Sequence, residues 1–234
     1  MKILSDFLRS ARGWIRLAAV TLLLFVGVRG FVLEAFTIPT SSMEPTLQVG
    51  DFLFVNRAIF GGEIPGTGLR LPGFRHPRRG EVVVFRPPHD LRRVYVKRVV
   101  GIPGDTLEMR SKRLFRNGVA VDEPYARHLD EGGDAIHPGM GWQSDFLVAA
   151  TPGPRHRYVP SRDTWGPLVV PPDRFFVLGD NRDNSEDSRY WGFIRRSEVR
   201  GRPWLVYLSL KPEDEASGSP LARVRWGRVG NFVE

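Results

Sequence analysis

The 234-residue chain contains no cysteine, which excludes thiolate zinc sites and a cysteine nucleophile. The absence says little about compartment, because disulfides are permitted outside the cytoplasm without being required there. Amphipathic helical patterns of convincing length are also missing. Instead, 19 prolines and 25 glycines cut the chain into short elements that favour strands and turns. There is no Gly-x-Ser-x-Gly elbow, no Ser-x-x-Lys helix motif and no His-Glu-x-x-His pair, so the commoner hydrolase arrangements fit poorly. The net charge of +8 suits either nucleic acid or anionic lipid headgroups. No Lys/Arg run with interleaved aromatics and no nucleic-acid signature accompanies it, so no nucleic-acid partner is expected. The five histidines lie in loop-like surroundings and read as surface residues. Internal repeats are absent.

What is present begins with an apolar stretch, Leu17 to Val28, preceded by Lys2, Arg9, Arg12 and Arg16. Such basic flanks favour a cytoplasmic amino terminus. Continuing through Leu33 brings the run to the roughly 20 residues that a spanning helix needs, provided Arg29 snorkels or faces protein. A single membrane anchor over 14–35 is the preferred reading. A removable secretory signal competes with it, since a basic start and the small pair Val28 and Gly30 resemble a cleavage site.

Beyond Phe36 the pattern is β. Phe52 to Val55, Val82 to Phe85, Val94 to Val100, Phe175 to Leu178 and Trp204 to Tyr207 are short apolar runs bounded by Gly, Pro or charge. Asn117-Gly118 between two such runs predicts a two-residue hairpin, because both central positions of a type I′ turn need positive φ. With 41% apolar residues, the chain is long enough to bury a sizeable core. It divides into a cytoplasmic start (1–13), the anchor (14–35), a β core (36–106 and 174–211), an inserted β lobe (107–173) and a carboxy-terminal segment (212–234).

Three stretches carry chemistry. Ile38 to Leu47 sets Ser42 after an extended, proline-bounded run, and Tyr95 to Asp105 sets Lys97 within a β pattern. Alternation along that strand puts Tyr95, Lys97 and Val99 on one face and Val96, Arg98 and Val100 on the other, so Lys97 and Arg98 have different tasks. A lysine among valines is desolvated, which favours its neutral form; a general base at neutral pH needs its pKa brought down by roughly 3 from about 10.4. The third stretch, Gly179 to Gly192, is dense in carboxylates, amides and hydroxyls. Taken singly, a strand lysine usually snorkels to solvent and a serine after proline usually serves a turn.

Together the three stretches, in this order, resemble the bacterial type I signal peptidases, with a weaker echo at Val224 to Gly230. The resemblance implies a mostly β fold of two antiparallel sheet regions around an extended groove, with one amino-terminal transmembrane helix. It implies Ser42 as nucleophile, Lys97 as general base and Ser185 as the residue orienting the lysine amine. Thr40 and the Ser42 N–H are implied as the oxyanion hole. Substrate contact falls to Phe36, Ile38, Pro39, Met43, Leu47, Tyr95, Val96 and Glu186. Arg98 with Asp180 and Asp187 with Arg189 are implied as structural pairs, while Gly179 and Asn181 shape the turn. Glu186 departs from the family, standing where a small residue can line the pocket; Ser41 occupies an often-glycine position.

The implied activity is removal of signal peptides with small residues at −1 and −3 from exported preproteins, without metal or organic cofactor. The implied setting is the cytoplasmic (inner) membrane, with the catalytic part on the extracytoplasmic side, in contact with the lipid bilayer and within reach of the export machinery. Two other readings stay open: a different Ser-Lys protease on a related fold, such as a self-cleaving repressor or a specialised pilin- or conjugation-associated peptidase, and a catalytically silent anchored protein that only holds extended peptides. The apolar run and the missing DNA-binding helix pair disfavour the repressor. The joint presence of Ser42, Lys97 and Ser185 disfavours the silent binder.

Overall fold

The β-branched and aromatic runs become the strands of two antiparallel sheets in the computed structural model, which describes residues 13–21, 33–61, 72–130, 134, 136–148, 158–212 and 220–234. The larger sheet orders seven strands as β1-β2-β11-β3-β4-β9-β10. These are β1 (Leu33–Thr37), β2 (Asp51–Asn56), β3 (Val82–Phe85), β4 (Tyr95–Gly101), β9 (Arg174–Leu178), β10 (Ile194–Arg195) and β11 (Val199–Ser209). The smaller sheet orders β7-β6-β5-β8, formed by β5 (Thr106–Arg110), β6 (Arg113–Arg116), β7 (Val119–Ala120) and β8 (Trp165–Val169). Asn117 and Gly118, both at positive φ, join β6 to β7 as the dipeptide predicts.

Burial explains why β4 reads as a nearly continuous apolar run. Val99 packs with Phe85, Phe175, Val177 and Val199 on one face. Val100, on the other, joins Leu107, Leu114, Trp165, Leu168, Phe176 and Phe193, a core shared between the two sheets. Trp165 stacks on Phe176 with ring centroids 5.0 Å apart. The smaller sheet is therefore welded to the larger one by apolar contact rather than hung from it. A third cluster, of Ile38, Met43, Leu47, Leu53, Val82, Val206 and Val233, lies beneath the Ser42 turn.

Two expectations are corrected by this arrangement. Leu33, Glu34 and Ala35, read as the end of the anchor, belong to β1 and pair with Asn56, Val55 and Phe54. Residues 13–21 form a helix, α1, whose residues are exposed. The rest of the anchor reading, 22–32, lies outside the described residues, as do 1–12 of the expected cytoplasmic start. Among the described residues no helix is long and apolar enough to cross a membrane. Leu47, expected at the substrate, is fully buried in the cluster under the turn and has no surface to offer.

Its packing makes Leu47 a test of how the turn is supported. Leu47→Ala is expected to lower unfolding stability by about 2–5 kcal/mol through the cavity it leaves. Denaturant midpoints of the two proteins measure this; a change below about 1 kcal/mol would contradict the packing.

Candidate active site

Ile38 continues the β1–β2 ladder, donating to Asp51 O at 2.8 Å and accepting from Gly50 N at 2.9 Å. Thr40 is still extended, after which Ser41–Met43 close one 3₁₀ turn. Buried Met43 pins that turn to the core while Ser42 stays half-buried. On β4, the period of two aims Lys97 at the turn. Its Nζ lies 2.6 Å from Ser42 Oγ. Thr40 Oγ1 lies 3.5 Å from the same oxygen.

Lys97 is only 4% exposed, yet it makes no salt bridge among the described residues. Burial pushes its pKa down, Asp187 and Glu186 oppose that at longer range, and the net value is about 8. A fall of that size corresponds to about 3 kcal/mol of bias toward the neutral amine. Val83 and Val99 illustrate how dry the surrounding sheet is, both being fully buried.

Arg98, the next residue, points the other way. It meets Asp180 through two charge-assisted bonds of 2.8 and 2.7 Å, and Thr46 Oγ1 adds a donor to the same carboxylate at 2.5 Å. The loop that follows β9 is thereby clamped across the sheet. At its far end Asp187 holds Arg189 at 2.8 Å and accepts from Gly179 N at 3.1 Å. Burial raises the Asp187 pKa, but Arg189 outweighs it and keeps the carboxylate ionised. Asp187 also accepts from Arg189 N to open the four-residue helix α2 (Ser188–Trp191).

Between these clamps the loop grips the serine turn. Asn181 N donates to Ser42 O at 3.2 Å, Asn181 Nδ2 to Ser41 O at 3.3 Å, and Asn184 Nδ2 to Ser41 Oγ at 2.9 Å. Gly179 permits the approach: a Cβ there would sit 2.2 Å from Ser185 Oγ and 2.5 Å from Ser42 O. Toward the smaller sheet, Arg182 forms a bidentate pair with Glu123 at 2.9 and 2.7 Å, and Asp183 accepts from Leu129 N and Asp130 N, both at 2.7 Å.

Ser185 is placed beside the turn but does not make the expected bond to the lysine. Its Oγ is buried and, among the described residues, meets no partner in good hydrogen-bond geometry, although it lies near enough to Asp187 to help hold that carboxylate ionised. The hydroxyl lies over Gly179, while the Lys97 amine is engaged by Ser42.

A groove of about 480 Å³ opens at Ser42 and Lys97. Its walls include Phe36, Ile38, Pro39, Met43, Tyr95, Val96 and Glu186, all expected from the sequence. Thr37, Arg93, Val94 and Asn184 also line it and were missed. Val94 directly precedes the lysine strand in the same apolar run, and that continuity was the available signal for it; Arg93 closes the preceding turn, its N–H donating to Asp90 O at 3.2 Å. On one side β4 pairs with β3 from Tyr95 onward. On the other, pairing with β9 begins only at Arg98, so residues 93–97 present an edge that no described strand occupies. The arrangement offers an alcohol, a dry amine, hydroxyl and N–H donors, and an extended apolar trough.

Comparison with known proteins agrees with that inventory. Residues 11–208 match the family described as signal peptidase, peptidase S26. Signal peptidase I of Pseudomonas aeruginosa is 35% identical over 216 residues, covering 87% of this chain and 72% of that protein. Signal peptidase I of Helicobacter pylori is 32% identical, covering 100% of this chain and 95% of its own length. A solved signal peptidase I from Enterococcus faecalis is 29% identical, with a TM-score of 0.37, covering 55% of this chain and 97% of that one. The match spans both sheets and every stretch that builds the groove, and on that ground the chain belongs to the signal peptidase family, peptidase S26, serine endopeptidases that remove signal peptides.

Proposed function

We propose that the protein is a membrane-anchored signal peptidase in which Ser42 attacks the scissile carbonyl and Lys97 takes its proton. The observation that carries this is the 2.6 Å contact between a half-buried hydroxyl and a desolvated amine at the floor of the groove. With the amine neutral, Ser42 Oγ–H donates to Nζ and the oxygen gains nucleophilic character. The Ser42 N–H stands at the start of a helical turn, where N–H groups lack intrahelical acceptors, and with the Thr40 hydroxyl it serves the developing oxyanion. The ammonium of Lys97 then protonates the leaving amine, and the regenerated base activates the water that hydrolyses the ester on Ser42. Ser185, buried beside Asp187, has a hydroxyl oxygen free to accept from the ammonium during the protonated stage.

Substrate binds as an added strand along the open edge at 93–97. The side chains of its −1 and −3 residues enter the trough beside Ile38, Met43 and Val96, whose bulk excludes all but small groups. Support for the anchor is the apolar run Leu17 to Val28, since β1 starts at Leu33 and its Phe36 already lines the groove. A helix ending there holds the site at the outer face of the cytoplasmic membrane, where exported preproteins are still embedded.

Ser42→Ala and Lys97→Met are each expected to lower kcat on a preprotein with an Ala-x-Ala site by roughly 10³ or more. Lys97→Met is expected at the same time to stabilise the fold at pH 7, because a buried lysine is lost. Normal turnover by either variant removes the dyad.

The pH profile follows from the lowered pKa. kcat/KM is expected to rise about tenfold per pH unit up to about pH 8 and then level. Because the folded-state pKa lies below the unfolded value, the unfolded chain binds the extra proton between about 8 and 10.5, so the Lys97 contribution to stability grows with pH across that window. A profile flat from pH 6 to 9 contradicts a lysine base.

Gly179→Ala is expected to push the loop off the serine turn and to lower kcat by roughly tenfold or more with near-native circular dichroism, since a 1 Å displacement of catalytic groups is felt strongly. Native kinetics in this variant would show that the close approach is dispensable.

A further inference from the structure

The strand bearing Lys97 separates two cavities. On one face Val94 and Val96 look only into the groove. On the other, Arg93 and Tyr95 line both the groove and a second cavity of about 700 Å³ under the turn joining β3 to β4. Tyr95 faces away from Val94 and Val96 as the period of two requires, whereas Lys97, on the Tyr95 face, lines only the groove, where it meets Ser42. His89 packs edge-on against Tyr95, with ring centroids 5.8 Å apart, and with Trp191 at the same distance it gives this second cavity an aromatic floor.

Glu186 is shared by both cavities. Its side chain is exposed and, among the described residues, has no ion pair and no hydrogen bond. The other charges at the second cavity are arranged differently. Asp90 is engaged by Arg93 at 3.3 Å and by Arg92 at 3.8 Å, and the Arg92 side chain is 96% exposed and turned to solvent. The carboxylate without a partner is therefore the one nearest the lysine strand.

Resting on the added-strand reading, we propose that this second cavity receives the −2 side chain of the substrate and that Glu186 makes it prefer a long cationic side chain over an acidic one. Alternation is the reason for the position. A strand laid along this edge with −1 and −3 on the Val96 face must place −2 on the face of Tyr95, beside the second cavity. Size agrees, because an open cavity of about 700 Å³ accommodates a lysine or arginine with its methylenes on the rings of Tyr95 and His89. Charge gives the sign: a lysine at −2 completes the free carboxylate, whereas a glutamate meets it as a like charge. Glu186 also acts on Lys97 through space, raising its pKa, so its removal alters turnover of every substrate. Ratios between substrates cancel that common factor.

The test compares three peptides identical except for Lys, Ala or Glu at −2 within an otherwise Ala-x-Ala site. With the native protein, kcat/KM for the lysine peptide is expected to exceed that for the glutamate peptide about fivefold at low salt, shrinking toward unity in 0.5 M salt. Glu186→Gln is expected to reduce the ratio to about one or below, and Glu186→Lys to invert it. A ratio that Glu186→Gln leaves unchanged, or a native preference for glutamate, overturns the assignment. Fluorescence anisotropy of the same peptides, labelled, on the Ser42→Ala protein reads the same order of affinities without turnover. Cleavage or binding of the alanine peptide with a flat −2 series removes only the subsite. Failure to bind any of the three removes the subsite together with the added-strand reading.

Discussion

An amine deprived of water is the constraint on which this molecule depends. Lys97 sits in a strand paired to β3 on one side, with buried Val99 and Val100 further along it, and its only short polar contact among the described residues is Ser42 Oγ. The arginines nearest it are matched, while Glu186, without an ion pair among the described residues, and Asp187 oppose the fall of its pKa without reversing it. Arg98 is matched by Asp180, and Arg189 by Asp187, both in bonds of 2.8 Å or less. Had any of these carboxylates been left unpaired beside the amine, it would have held the proton on the lysine. The pairs thus keep the local field near neutral while burial does the rest.

A second constraint is positional. Ser42 is on a short turn between β1 and β2, Lys97 is in the middle of the sheet, and the loop after β9 is remote from both in sequence. The backbone bonds from Asn181 to Ser42 and the bidentate bonds from Arg98 to Asp180 bring the three together. The same loop thus reaches the Ser42 turn at one residue and the strand carrying Lys97 at its neighbour. Such pre-organisation holds the hydroxyl and the amine at hydrogen-bond distance before any substrate arrives.

Much of this was legible in the residues. The five apolar runs became β2, β3, β4, β9 and part of β11, because strands covered on both faces need little alternation to be recognised. Ser42, Lys97 and Arg98 were readable because the period of two gives adjacent residues opposite faces. Leu47 was misread since a leucine four residues beyond the turn looks the same in sequence whether it faces the trough or the core; only the pairing of β2 with β11 decides. The limits of the anchor were misjudged for a related reason. Leu33 to Ala35 are as compatible with lipid as with a strand, and what claims them is the partner strand β2, far along the chain. The second core, shared by Val100, Trp165 and Phe176, was invisible because the contacts join residues separated by long stretches.

The ties from Arg182 to Glu123, and from Asp183 to the backbone at Leu129 and Asp130, lead out of the site and into the smaller sheet's neighbourhood. They make residues 123–130 a buttress for chemistry conducted elsewhere. Shortening of the lobe along this segment would therefore loosen the loop that holds the Ser42 turn. A descendant that pared the lobe away would have to invent another strut for the loop or lose its grip on the nucleophile.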